Sequence, residues 1–224
     1  MSRAVAASSP PRGEADGPLE PRERTPACVL EALRAGNARY VADRLRHPHQ
    51  RTRDREALVA GQRPIAAVVG CSDARVPPSV VLDQGLGDLF AIRVAGHVLG
   101  DDVLASVHYA VEVLEVPVVL VLGHEGCGAV GLALDAVRDG CEDDAPLVRQ
   151  IAPSARAARS LCAVDADLDP HDQAVRLHAD ATADALRADP LLARRIADGR
   201  LWIGPAVYRM GSGRIDGLDV DGSS

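Results

Sequence analysis

The chain has 224 residues, of which 47% are hydrophobic, and a formal net charge of −7, so it can bury one sizeable core but not two large ones. This acidic balance leaves no broad basic surface for nucleic acid, and no apolar run reaches the roughly 20 residues of a membrane helix. All 25 basic residues are arginine, which excludes chemistry that needs a lysine, such as a pyridoxal phosphate Schiff base or a phosphate-loop lysine.

The first 24 residues differ in composition from the rest of the chain. They are rich in Pro, Gly, Ser and charged residues and show no periodic apolar pattern. We therefore expect residues 1–24 to be a disordered tail and residues 25–224 to form a single domain. The same segment lacks the apolar core of a signal peptide, which makes the cytoplasm the expected location.

Two helices are predicted next. Thr25 and Pro26 are suited to cap and begin a helix, and apolar residues at helical spacing extend it to about Leu45. A second, short helix is predicted from Asp54 to Ala60.

Short, unbroken apolar runs begin after Pro64. Such runs are typical of parallel strands covered on both faces, and they occur at 65–70, 89–94 and 116–122. A helical pattern at 101–114 lies between the last two. This order of strand, helix and strand predicts an α/β fold with a mainly parallel β-sheet flanked by helices.

The remaining chain is predicted to be mostly helical up to Ala197. Four prolines are expected to break this stretch into separate helices: Pro146, Pro153, Pro170 and Pro190. A strand is predicted from Leu201 to Tyr208, followed by a turn from Gly211 to Gly217 and a short final strand.

Metal-ligand side chains follow two of the predicted strands. Cys71 closes the first strand, and His124 and Cys127 close the third. Because the carboxyl ends of parallel strands meet at one edge of a sheet, we expect the three side chains to lie close together. Two thiolates and one imidazole suit Zn²⁺, and three protein ligands leave a fourth position open, as in a catalytic zinc site. The sequence therefore predicts one zinc ion per chain.

The other cysteines and histidines lack ligand spacing. Cys28, Cys141 and Cys162 are interpreted as small core residues, since the chain has no export signal and an odd number of cysteines. Polar contexts predict solvated side chains for His47, His49, His171 and His178. His97 and His108 are predicted to approach the sheet end or its covering helix.

Asp73 and Arg75 follow Cys71 within the same loop. In an arbitrary loop they would be a turn aspartate and a solvated arginine. Beside a zinc ligand, the carboxylate can accept the proton of metal-bound water, while the arginine fork holds the carboxylate away from the metal. Asp73 is thus a catalytic candidate and a conditional fourth ligand, and Arg75 is its catalytic partner.

Other motifs are weaker. Gly126-x-Gly128-x-x-Gly131 formally matches a dinucleotide fingerprint, but a loop at Gly140 follows where a second strand ending in an acid is needed. The segment His124-Glu125-Gly126-Cys127 lacks the second histidine of zinc metalloproteases.

Cys-x-Asp-x-Arg at 71–75 followed by His-x-x-Cys at 124–127 resembles the β-class carbonic anhydrases. The likeness extends to 35–40, 83–90, 93–97 and 106–111, and spans roughly Thr25 to Leu218. It implies a mainly parallel sheet with an N-terminal helical arm that embraces a partner subunit. It also implies zinc on Cys71, His124 and Cys127, with Asp73 and Arg75 controlling the fourth position. The implied activity is the reversible hydration of carbon dioxide to bicarbonate by a homodimer or homotetramer.

Some positions depart from the family pattern. Ala74 stands where serine is common, Gln84 lies one place before the glutamine that contacts substrate in plant-type members, and Val68 replaces the tryptophan of the bicarbonate-regulated subclass. Two alternatives stay open at this point. One is a related zinc lyase or hydrolase acting on another small linear molecule, such as carbon disulfide. The other is a non-catalytic assembly protein whose zinc is closed by Asp73.

Overall fold

The computed structural model describes residues 24–141 and 145–218. Most of the predicted tail, residues 1–23, lies outside this part of the chain. Arg24, the last residue of that tail, donates a hydrogen bond from its guanidinium to the Pro64 carbonyl. No helix in the described ranges is long and apolar enough to cross a membrane.

In the described chain, two helices precede the first strand, strands and helices then alternate up to the third strand, and four helices separate the third strand from the last two. The strands are β1 Ala66–Cys71, β2 Leu89–Val94, β3 Val118–His124, β4 Trp202–Tyr208 and β5 Ile215–Asp216. The helices are α1 Pro26–Val41, α2 Thr52–Ala57, α3 Pro78–Val81, α4 Asp101–Glu112, α5 Gly128–Asp139, α6 Pro146–Val164, α7 Pro170–Ala188 and α8 Pro190–Ala197.

The five strands form one sheet in the order β2-β1-β3-β4-β5. The first four strands are parallel to their neighbours, and β5 is antiparallel to β4. The register pairs Gly70 of β1 with Leu122 of β3, so Cys71 and His124 end at the same edge of the sheet. The predicted α/β class with a mainly parallel sheet and flanking helices is confirmed.

Both faces of the sheet are covered by helices. Successive residues of β1 and β3 point to opposite faces, and both strands are buried throughout. Val68 and Leu120 pack against α1 and α3 on one face, whereas Val69 and Val121 pack against α4, α7 and α8 on the other. A third cluster joins α5, α6 and α7 around the carboxyl ends of the central strands.

Several predicted boundaries are wrong. Helix α1 ends at Val41 rather than near Leu45. Pro153 does not break the helical stretch but lies inside α6, where its ring is exposed. A proline on the solvent face leaves the carbonyl one turn earlier accessible to water, which lowers the cost of the missing hydrogen bond. The final strand β5 lies within the predicted turn, because the chain reverses earlier, with Arg209 N–H donating to the Arg214 carbonyl at 2.7 Å.

Candidate metal centre

Cys71, His124 and Cys127 are brought together at the carboxyl edge of the sheet. Their ligand atoms all lie within 4.8 Å of one another, and all three residues are buried. Cys71 is the last residue of β1 and His124 the last of β3. The two sulfur atoms are 4.0 Å apart, close to the roughly 3.8 Å that two thiolates on one tetrahedral zinc adopt for Zn–S bonds of about 2.3 Å.

The turn between His124 and Cys127 lets both side chains face the same point. Gly126 has a φ of +64°, a left-handed conformation that glycine adopts without steric cost. Cys127 is the N-cap of α5, so its sulfur lies at the positive end of the helix dipole, which favours a thiolate. After α5 the chain enters α6 rather than a strand, as expected for a sequence without a dinucleotide-binding unit.

The imidazole of His124 is oriented for ligation. Its Nδ1 donates a hydrogen bond to the Glu125 carbonyl at 3.0 Å, which leaves a lone pair on Nε2. Nε2 is buried and has no hydrogen-bond partner among the described residues. A buried nitrogen acceptor facing two cysteine sulfurs fits a metal ion of the kind that Cys₂His sites hold, namely zinc.

A hydrogen bond between the two thiols shifts their pKa values in opposite directions. The pKa of Cys71 is lowered, first because the Cys127 thiol donates a hydrogen bond to its sulfur and further by the backbone N–H groups of Asp73 and Gly96. The Gly96 N–H lies 3.3 Å from the Cys71 sulfur. The pKa of Cys127 is raised by the same hydrogen bond and by burial, which together outweigh the lowering by the N–H groups of Val130 and Ala129 at the start of α5.

Asp73 and Arg75 form a close pair beside the three candidate ligands. The guanidinium donates from Nε to Oδ1 at 2.9 Å and from Nη2 to Oδ2 at 2.6 Å, and the backbone N–H of Arg75 also donates to Oδ1. These hydrogen bonds are the main reason that the pKa of Asp73 lies well below its usual range. Nη2 also donates to the Gly126 carbonyl at 3.3 Å, so Arg75 connects the two ligand-bearing loops.

Arg93 is a site residue whose role the sequence did not predict. Its Nε donates to the Cys71 carbonyl at 3.0 Å, and its Nη2 donates to the Asp73 carbonyl at 2.7 Å. Arg93 therefore fixes the backbone on both sides of Ser72. The sequence signal for Arg93 was its place in the family-like segment 93–97. The strand that carries it, β2, pairs with β1.

Several predictions about the burial of the remaining histidines and cysteines are wrong. His178 is buried rather than solvated, and its Nε2 donates to the Gly96 carbonyl at 2.9 Å. His171 is half-buried, with Nε2 donating to the Cys127 carbonyl at 3.1 Å. His97 does lie at the sheet end, fully buried. Cys28 and Cys141 are exposed, so the core interpretation is wrong for both, and all five cysteines are free.

Comparisons with known proteins agree with this geometry. The family model described as "Carbonic anhydrase" matches residues 66–215. Carbonic anhydrase 2 of Mycobacterium tuberculosis is 41% identical over 193 residues, which cover 84% of this chain and 91% of the relative. Carbonic anhydrase of Mycolicibacterium smegmatis is 38% identical over 198 residues, which cover 85% of this chain and 92% of the relative.

Solved structures of similar fold point the same way. The β-carbonic anhydrase CcaA superposes with a TM-score of 0.62 at 28% identity, covering 73% of this chain and 84% of the other. One of the structures described as two tetrameric β-carbonic anhydrases of Sordaria macrospora superposes with a TM-score of 0.63 at 25% identity, covering 83% of this chain and 94% of the other.

Proposed function

The chain belongs to the β-class carbonic anhydrases, and from this premise we propose that it hydrates carbon dioxide reversibly with one zinc ion per chain held by Cys71, His124 and Cys127. The observation that carries the zinc assignment is the buried Nε2 of His124. This atom is without a hydrogen-bond partner in the described ranges and lies between two cysteine sulfurs and an arginine-paired carboxylate.

Zinc in this position would lower the pKa of a bound water from 15.7 to about 7 and so supply hydroxide near neutral pH. The chain's own residues then have separate tasks. Cys71, His124 and Cys127 hold the ion with three ligands and leave the fourth position to solvent or substrate. The overall reaction adds the oxygen of water to the carbon of carbon dioxide and releases one proton.

Asp73 controls access to the fourth position. Its Oδ2 lies 3.9 Å from Nε2 of His124, near enough to reach a metal on that nitrogen if the carboxylate were free to move. Arg75 holds both carboxylate oxygens, so Asp73 stays ionised and available as a hydrogen-bond acceptor. A site that only stabilised an assembly would gain nothing from this pairing, which supports a catalytic role.

The chain is also inferred to act as a dimer or tetramer. The Sordaria macrospora neighbours are described as tetrameric, and the similarity covers 94% of that chain. Light scattering on a sizing column gives the mass directly. A monomer at micromolar concentration would contradict this inference.

The decisive experiment is stopped-flow hydration of carbon dioxide by purified protein of known metal content. We expect a rate that scales with zinc occupancy and is lost from protein stripped of metal and from the Asp73→Asn variant. Carbon disulfide in the same assay distinguishes the related lyase. Full zinc occupancy with no hydration of carbon dioxide would overturn the proposed function.

A further inference from the structure

One face of α7 is turned toward the metal centre. His171, Ala174, Val175 and His178 share this face because they are spaced three, four and seven residues apart. Ala174 and Val175 belong to the same buried cluster as Cys71 and Cys127. The two histidines lie at the ends of this face, two helical turns from each other.

His178 reaches the segment that contacts Cys71. Its Nε2 donates to the Gly96 carbonyl at 2.9 Å, and the Gly96 N–H is 3.3 Å from the Cys71 sulfur. Gly96 has a φ of +62°, and a Cβ there would lie 2.9 Å from Ile151 Cδ1 and 3.0 Å from Ala129 Cβ. Gly96 is therefore fixed in position by its backbone hydrogen bonds and by close packing that leaves no room for a side chain.

His171 reaches the other cysteine. Its Nε2 donates to the carbonyl of Cys127 at 3.1 Å. The residue before the third candidate ligand, His124, also contacts α7. A Cβ on Gly123 would lie 3.3 Å from Val175 Cγ1 and 3.5 Å from Ala179 Cβ. The absence of a side chain at Gly123 lets α7 pack directly against the end of β3, next to His124.

The orientation of the His178 ring is fixed by its surroundings. His97 packs against it with ring centroids 4.7 Å apart, and both residues are buried. Burial lowers the pKa of both imidazoles, so His178 stays neutral, and the Gly96 acceptor selects the tautomer with the proton on Nε2. Burial therefore favours the neutral imidazole, whose Nε2–H donates to the Gly96 carbonyl.

We propose that His171 and His178 are positioning residues that hold the two cysteine-bearing segments at the separation which a metal ion requires. This inference rests on the proposed zinc site and adds to it a helix that contacts the segments of His124 and Cys127 directly and reaches Cys71 through Gly96. Hydrogen bonds that orient ligand segments commonly change metal affinity by about 10- to 100-fold when they are removed.

The test compares variants that keep or remove the N–H donor. His178→Leu and His171→Leu remove it while leaving a side chain that can pack, whereas His178→Gln and His171→Gln retain an N–H close to the position of Nε2–H. Co²⁺ is titrated into metal-free protein, its affinity is measured by competition with a chromophoric chelator, and the thiolate-to-cobalt absorption band is recorded. His108→Leu is the matched control. His108 lies on α4, away from the cysteine segments, and its Nε2 is 3.1 Å from Oδ1 of Asp189.

We expect each leucine variant to bind Co²⁺ about tenfold or more weakly and to shift the thiolate-to-cobalt band. The glutamine variants and His108→Leu should stay within about threefold of the wild-type affinity. Equal affinity and an unchanged band in the leucine variants would overturn the inference. If circular dichroism shows that His178→Leu does not fold, the variants of His171, whose side chain is half-buried, test the inference. Failure of the wild-type chain to bind Co²⁺ would instead count against the proposed metal site.

Discussion

The Nε2 atom of His124 lies 3.9 Å from Oδ2 of Asp73, and both oxygens of that carboxylate accept hydrogen bonds from Arg75. A carboxylate this close to a bound cation is drawn toward it unless another cation holds it. In the proposed zinc site, the Asp73–Arg75 pair would therefore decide whether the fourth position is open or closed.

Arg75→Ala should abolish most activity, by about 10- to 100-fold, while zinc stays bound, because Asp73 is released and takes the fourth position. The check is a crystal structure or an X-ray absorption spectrum of the zinc protein at pH 8.5, which reports the fourth ligand. Near-wild-type hydration rates with unchanged zinc coordination would refute this role of Arg75.

Cys71→Ser and Cys127→Ser should each lose most of the bound zinc, since a serine hydroxyl is a poor substitute for a soft thiolate ligand. Elemental analysis of the purified variants measures the loss. Cys28→Ser and Cys141→Ser are matched controls at exposed cysteines and should retain about one zinc per chain. Full occupancy in the first two variants would remove the proposed site.

Arg93→Lys should reduce activity by about tenfold, because an ammonium group cannot donate to the Cys71 and Asp73 carbonyls in the way that the planar guanidinium does. Stopped-flow rates at equal zinc content provide the measurement. If Arg93→Lys is fully active and Arg93→Gln is not, the charge of Arg93 matters rather than its two-pronged geometry.

Stability should fall as the pH drops below about 6.5, the usual pKa of histidine. Burial lowers the pKa of His97 and His178 in the folded chain. The unfolded chain therefore takes up protons first, and each histidine removes up to about 1.4 kcal/mol of stability per pH unit.

Urea unfolding at pH 7.5 and 5.5 checks this dependence. His97→Leu removes one of the two groups, so its stability should change less with pH than that of the wild-type chain. The other titratable groups are the same in both proteins, so their contribution cancels in the comparison. If the free energy of unfolding depended on pH identically in the two proteins, His97 would not be a source of the loss of stability at low pH.

Deletion of residues 1–23 should change the melting temperature by no more than about 3 °C, because their composition cannot bury enough apolar surface to offset the entropy of ordering. The deletion keeps Arg24, whose guanidinium bonds to the Pro64 carbonyl. Thermal melts of both proteins at equal concentration provide the test. A much larger drop would show that the tail is docked.

The α/β class, the parallel strands and the grouping of Cys71, His124 and Cys127 were all predictable from the sequence. Unbroken apolar runs indicate strands covered on both faces, and parallel pairing places the residues that follow two such strands at one edge of the sheet. Asp73 and Arg75 were predictable for a related reason. They are separated by a single residue in the loop after β1, so local geometry is enough to pair them.

Other features depend on contacts between segments that are distant in sequence. The roles of Arg93, His171 and His178 follow from strand neighbours and from the angle at which α7 packs, and a polar residue on a helix carries no local sign of its burial. Pro153 continues its helix because its ring faces solvent, which only the packing of α6 determines. The sequence alone therefore determined the candidate ligands, since their positions follow from strand order. The tertiary structure decided which hydrogen bonds surround those residues, because such hydrogen bonds form only once helices and sheet have packed together.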